Sequence, residues 1–468
     1  MTRNKDAETV WRMDRDHFIH PYTDFSTFKK EGSKVISEAS GNHVTDSEGK
    51  QYLDGIAGLW CANVGHGRRD MADAIHEQIL KMEYSNPFGH YSNEPASILA
   101  GELADLTPGN LNHVFFTNGG SVSNDTAVRL VHYYNNLRGK PNKKKIISRV
   151  NGYHGATCVA AQLTGIAGTK NSFDQFGQDL IHHVSAADMY RRPSGAEDLS
   201  EEAYTEFLAN EFENRIVQLG PDNVAAFIAE PIMGAGGVLV APKGYHKRMH
   251  QICKRYDVLF IADEVVTAFG RLGEWFTSES LYDYMPDIMI VAKGINSGYV
   301  PLGACILSSE IYDVISVPQC KGGTLSMGFT YSGHAVACAA ALKNFEILEE
   351  EQLLQNVRKL GPYLQSEASR YLNIPIVGDV RGSHFMMGIE LVADKESKAQ
   401  FDVDVGSAMR VAEKCQQRGL IVRPIGNILV ISPPLTFSRR DVDTLIGILG
   451  ESIDEVTIDL RKEGRFAA

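Results

Sequence analysis

The chain has 468 residues, 43% of them hydrophobic and 22% charged, an ordinary balance for a globular protein with room for a sizeable core. A formal net charge of −12 makes nucleic acid and anionic membrane surfaces poor partners. Seven cysteines, at 61, 158, 253, 305, 320, 338 and 415, show no C-x-x-C pairing or regular spacing, which argues against a disulfide framework or a cysteine-built zinc site and fits a reducing compartment.

In chain order, the opening MTRNKDAETVWRMDRDHF is charged and has no apolar core, unlike a secretory signal, and no apolar run reaches membrane-spanning length. A cytoplasmic protein is expected. Residues 33–56 alternate and carry a turn signal at Asp46-Ser47-Glu48-Gly49, which predicts a β-hairpin. Helical periodicity follows over 69–83 and 96–106. From about residue 112, short apolar strands alternate with helical segments. HVFFTN precedes SNDTAVRLVHYYNN, then come IISRVN and VAAFIAE, HKRMHQICKRY precedes VLFIADE, and DIMIVAK follows. The basic cluster from Arg138 to Arg149 reads as the solvated approach to one of these strands. This rhythm predicts an α/β fold with a mostly parallel sheet covered by helices on both faces. A helix-like stretch over 334–371 leads to strands near 374–391 and 420–433 and a last helix near 438–456. The expected division is an N-terminal segment and hairpin (1–65), a large domain (66–335), and a C-terminal part (336–468). The first and last of these would form a smaller α+β domain.

In open α/β sheets ligands collect beyond the carboxyl ends of the strands. Three features lie there. Thr117-Asn118-Gly119-Gly120-Ser121 joins a strand to a helix; glycines allow close backbone approach, and helix N-terminal N–H groups with a serine hydroxyl suit a phosphate. A plain tight turn capped by Ser121 or Ser123 explains it equally well. Asp263 ends a buried apolar strand, which is costly unless a cation, a metal or a set of donors awaits it. No histidine pair lies nearby at ligand spacing, so a metal there is open but has no support; a protonated heterocyclic nitrogen is the other obvious partner. Lys293 ends a later strand, where a lysine ordinarily snorkels outward, but a desolvated one becomes a nucleophile for carbonyls. Together, a phosphate cradle, a buried aspartate and a strand-end lysine match pyridoxal phosphate, which has a phosphate, a ring nitrogen and an aldehyde to hold.

The motifs ADEV (262–265), AKG (292–294) and GYHG (152–155), with HPYTDF (20–25), DGIAGLWCANVGHG (54–67) and IVRPIGNILVISPP (421–434), carry a resemblance over nearly the whole chain. It resembles the class III aminotransferases of pyridoxal-phosphate fold type I, and within them the amine:pyruvate or ω-amino-acid:pyruvate transaminases. The resemblance implies a Schiff base on Lys293, which also shuttles the substrate proton, and Asp263 holding the pyridine nitrogen protonated. It implies Val265 and Tyr153 on the two faces of the ring, Gly120 and Ser121 on the phosphate, and Glu230 on the cofactor's hydroxyl side. Thr330 would reach the phosphate bound in a neighbouring subunit, which makes the expected unit a homodimer with sites at the interface and leaves a tetramer open. Trp60, Tyr22, Phe88 and Tyr153 would line the substrate pocket, and Arg423 would grip the carboxylate of the keto acid. The phosphate turn departs from the common S-G-S-E-A-N-D: here Gly119-Gly120-Ser121-Val122-Ser123-Asn124-Asp125 lacks the first hydroxyl and the glutamate.

The expected function is therefore ping-pong amino transfer from a primary amine or ω-amino acid to pyruvate. Alternatives inside the class are transaminases dedicated to a diamine or polyamine, taurine, β-alanine or diaminopelargonate. From other classes, a pyridoxal-phosphate racemase or decarboxylase and a non-enzymatic phosphate-binding module remain open.

Overall fold

The structure is a computed structural model that describes residues 5–317 and 324–466; Cys320 lies outside them. A seven-stranded sheet forms its centre, in the spatial order Leu111–Thr117, Gly303–Ser308, Ile288–Val291, Leu259–Asp263, Val224–Ala229, Lys145–Arg149, Ile181–Val184. Six strands run the same way, and Gly303–Ser308 alone is antiparallel to both of its neighbours.

Strand alternation explains why the central segments are apolar throughout. Ile146, Ile228, Ile261 and Ile290 point to the face covered by the helix Gly120–Leu137, through its Ala127, Val128 and Val131. Their neighbours Ile147, Phe227, Phe260 and Ala262 point the other way, into Phe212 of the helix Glu201–Leu219 and Met249 and Ile252 of Tyr245–Arg255. A strand buried on both faces has no polar positions to spare, so the polar residues collect at its ends.

The segment 33–56 is richer than a hairpin. Ile36–Ser40, His43–Asp46 and Gln51–Asp54 form three antiparallel strands. The expected turn is present, with Asp46 Oδ1 accepting the N–H groups of Glu48 and Lys50 at 3.1 and 2.9 Å. A fourth strand, Leu420–Ile421, adds in parallel against Leu53 and Asp54, so the two ends of the chain share one sheet. A second four-stranded sheet consists of Val377–Ser383, Met386–Leu391, Ile428–Ile431 and Arg423–Ile425. The helix-like stretch 334–371 is two helices, Ala335–Glu350 and Leu353–Ser369, broken where Gln352 adopts φ +52°. The last helix runs Arg439–Lys462 behind a Ser438/Asp441 capping box. Among the described residues no helix is long and apolar enough to cross a membrane.

Candidate active site

Five of the expected site residues lie at or just past the carboxyl ends of five central strands. Gly120 opens the helix after Leu111–Thr117, Tyr153 follows Lys145–Arg149, and Glu230 follows Val224–Ala229. Asp263 ends Leu259–Asp263, and Lys293 follows Ile288–Val291. All five border one cavity of about 370 Å³, which Ser121, Val265, Tyr22, Trp60 and Arg423 also line.

Asp263 is 4% exposed, and its oxygens are used unequally. Oδ2 accepts from Asn124 Nδ2 at 2.9 Å and lies 2.7 Å from His154 Nδ1. Oδ1 meets only the Val265 N–H, at 3.2 Å. Asn124 and His154 were not singled out by the sequence reading, although His154 lies inside the motif GYHG. Asn124 sits one turn into the helix that Gly120 opens, and its Nδ2 also donates to the His154 carbonyl at 2.7 Å, which ties the two together.

The turn before that helix has no side-chain cap: Gly119 is the N-cap, and Ser123 Oγ is engaged with Thr117 Oγ1 at 2.6 Å. The first-turn N–H groups are left to the cavity, a helix end suited to an anion. Two glycines allow its tight surroundings. A Cβ on Gly120 would stand 3.1 Å from Val265 Cγ2. Gly155 has φ +134°, and a Cβ there would come within 2.4 Å of Ser121 Oγ, which accepts the Ala156 N–H at 3.1 Å.

Glu230 is 5% exposed, and burial raises its carboxyl above the ordinary range, opposed in part by His154. Backbone N–H groups of Tyr153 and Gly234 donate to its two oxygens, both at 2.9 Å. Glu264, beside Asp263, points away from the cavity and is satisfied by Thr277, Ser278 and Thr267.

Lys293 stands at φ +47°, a strained conformation for a residue with a Cβ. The turn is clamped from behind by Asn344, whose Nδ2 donates to the Gly294 and Ile295 carbonyls at 3.0 and 3.2 Å. Desolvation lowers the pKa of its amine, with Asp263 pulling the other way. Its Nζ lies 5.3 Å from the centroid of the Trp60 ring, and the Arg423 guanidinium lies 5.1 Å from the same ring. Burial lowers the pKa of Arg423 as well, against Tyr153 and Tyr22. Tyr22 and Tyr153 join hydroxyls at 3.2 Å, and burial raises the Tyr153 phenol above its ordinary range.

Apolar side chains, among them Leu59, Ile232, Val266 and Ile425, complete the wall. Phe88 and Thr330 are the two expected site residues that do not border this cavity; Phe88 is half exposed, against Gly328, and Thr330 is exposed.

Known proteins are similar to this chain over most of its length. The family Aminotransferase class-III matches residues 27–453. A putrescine–pyruvate aminotransferase of Pseudomonas aeruginosa is 40% identical over 444 residues, covering 95% of each chain. A thermostable (S)-enantioselective ω-transaminase from Thermomicrobium roseum superposes with a TM-score of 0.93 at 39% identity, over 97% of this chain and 99% of its own. An ω-transaminase of Pseudomonas jessenii, solved in complex with PMP, gives 0.93 at 37% identity over 97% and 99%. A cavity at the strand ends of an α/β sheet, with a family match over most of the length, leads to one assignment: the chain belongs to the class III aminotransferases.

Proposed function

We propose that the chain binds pyridoxal phosphate in this cavity and moves an amino group from a primary amine or ω-amino acid to pyruvate. One observation carries the reading: an uncapped helix N-terminus, a buried carboxylate and a desolvated lysine face the same cavity. Each suits a different part of the cofactor. The N–H groups of Gly120 and Ser121 suit its phosphate; the turn lacks the usual first hydroxyl and glutamate, which leaves backbone donors and Ser121 to hold it. Asp263, with Oδ2 held by Asn124 and His154, presents Oδ1 for a protonated ring nitrogen. Val265 and Tyr153 are the candidates for the two faces of the ring, and Glu230 for its hydroxyl side. When bound, pyridoxal phosphate supplies an aldehyde that condenses with primary amines and a ring that accepts electron density.

The chain's own residues do the rest. Lys293 offers an amine more readily unprotonated than an ordinary lysine, able to take the proton from the substrate Cα and return it elsewhere. Trp60 and the aliphatic wall exclude water and receive the donor's carbon skeleton. Arg423 grips the carboxylate of pyruvate in a bidentate pair, as a guanidinium fork allows. The putrescine–pyruvate relative supports pyruvate as acceptor and a diamine among the donors. Thr330 belongs to the proposal through a homodimer, reaching the phosphate of the neighbouring subunit's site from an exposed position, and Phe88, half exposed, remains an aromatic candidate for the substrate pocket. The six described cysteines are unpaired, which supports a reducing compartment.

Lys293→Ala or Lys293→Met is expected to abolish both turnover and the visible absorbance of the loaded protein. Normal turnover in either variant would sink the reading. A donor panel of putrescine, β-alanine, taurine and 1-phenylethylamine with pyruvate separates a broad amine transaminase from a dedicated diamine one.

A further inference from the structure

Trp60 forms a wall of the cavity, yet the indole is not held there by its own polar group. Its Nε1 is buried without a partner, and the residue is 3% exposed. The backbone therefore sets its place, and that backbone is strained: Ala57, Gly58 and Trp60 have φ of +48°, +66° and +60°. Something must over-determine the conformation.

Asp54 does so. It ends the strand Gln51–Asp54 and is 2% exposed. Oδ1 accepts the Ile56 N–H at 3.0 Å, and Oδ2 accepts the Gly58 N–H at 2.7 Å, so one carboxylate clamps the entry to the strained turn from two sides. The same Oδ2 lies 2.8 Å from His66 Nε2. His66 is itself anchored, exchanging backbone hydrogen bonds with Gly41 at 2.8 and 2.9 Å. The next residue after Asp54 extends the tie: the Gly55 N–H donates to the Ile421 carbonyl at 2.9 Å, two residues before Arg423. The clamp thus ties down the backbone beside the indole and, through Gly55, the strand leading to Arg423, without itself lining the cavity.

We propose that Asp54 and His66 are positioning residues that hold Trp60 in its wall position and thereby set the size of amine the enzyme accepts. This rests on the amino-transfer reading above. A donor whose bulk packs against the indole feels the wall move; a slender ω-amino acid does not.

The experiment uses the loaded enzyme with pyruvate as acceptor and three variants, Asp54→Asn, His66→Phe and His66→Gln. Asparagine cannot accept both N–H groups on two oxygens, phenylalanine removes the donor, and glutamine returns an amide donor at similar reach. In Asp54→Asn and His66→Phe the Michaelis constant for 1-phenylethylamine is expected to rise about tenfold or more, and that for β-alanine by less than about threefold, with His66→Gln restoring the parent values. A second arm reads the indole directly. With Trp11 and Trp275 replaced by phenylalanine, Trp60 is the sole tryptophan, and its emission should become more accessible to acrylamide in Asp54→Asn and His66→Phe. Equal shifts for both donors, or unchanged quenching, overturn the proposal. A parent enzyme that transfers no amino group defeats the amino-transfer reading alone, since the quenching arm still decides whether the pair positions Trp60.

Discussion

His154 Nδ1 lies 2.7 Å from Asp263 Oδ2, both side chains almost wholly out of solvent, and Asn124 Nδ2 completes the grip at 2.9 Å. The pair occupies one carboxylate oxygen, and the other accepts the Val265 N–H at 3.2 Å. Removing a charge-assisted bond to a buried carboxylate costs about 1.5–3 kcal/mol, which is about ten- to a hundredfold in an equilibrium. His154→Ala and Asn124→Ala are therefore expected to loosen pyridoxal phosphate by about that factor, measured by spectroscopic titration of the cofactor-free protein. Retention equal to the parent would remove the orienting role.

Lys293 supplies a pH dependence. Burial disfavours its charged form, so its amine loses the proton below the ordinary lysine value of 10.5 despite the attraction of Asp263. A lowered pKa in a base means that the unprotonated form, the nucleophile, gains population as pH rises through a window lying below 10.5. The rate at which the cofactor-free protein develops visible absorbance with pyridoxal phosphate should rise through that window. Free Nα-acetyl-lysine in parallel gives the unburied reference, and coincident midpoints would contradict the desolvation argument.

Arg423 is expected to discriminate between the two halves of the reaction. Arg423→Ala should raise the Michaelis constant for pyruvate by about ten- to a hundredfold, the range for bonds to a charged group. The constant for 1-phenylethylamine, which has no carboxylate, should change far less. Steady-state kinetics with each substrate varied in turn decide it; equal changes would remove the carboxylate role.

Gly155→Ala tests the phosphate end. The new Cβ would have to share space with Ser121 Oγ and, at 2.7 Å, Ser121 Cα, at a φ of +134° that alanine resists. We expect folded protein with weakened cofactor affinity, seen as loss of absorbance on dialysis, whereas Gly447→Ala, in the last helix where a Cβ meets nothing within 4 Å, should retain it.

What was legible in the sequence follows a physical rule. Asp263 and Lys293 stand out because an ionisable residue ending an apolar run is costly, and costs are visible one residue at a time. Asn124 and His154 were not legible, because each is an unremarkable polar residue until tertiary structure brings it to Asp263. The Gly303–Ser308 strand hid for another reason: GACILS directly follows a glycine-rich turn and opens on a glycine, and its antiparallel direction is a property of pairing. The extended helix over 334–371 failed at Gln352, since nothing in glutamine's chemistry marks a left-handed residue. Asp54 was read as part of a motif, but its two N–H acceptors and its histidine are spaced by a backbone conformation that no periodicity encodes.

The pairing of Leu53 and Asp54 with Leu420 and Ile421 has a consequence for the order in which the protein is made. Gly120, Asp263 and Lys293 all leave the ribosome before the strand that closes the sheet under Trp60. A growing chain can therefore gather its anion cup, carboxylate and lysine first, and acquire the seat of its selectivity last, once a partner more than three hundred residues downstream arrives (Lys50 reaches Gln417 across 367 residues). Until then Gln51–Asp54 is an open sheet edge. A chain ended just before Leu420 should elute with aggregates on size exclusion, because it lacks the strand that covers this edge and, with it, Arg423–Ile425, Ile428–Ile431 and the helix Arg439–Lys462.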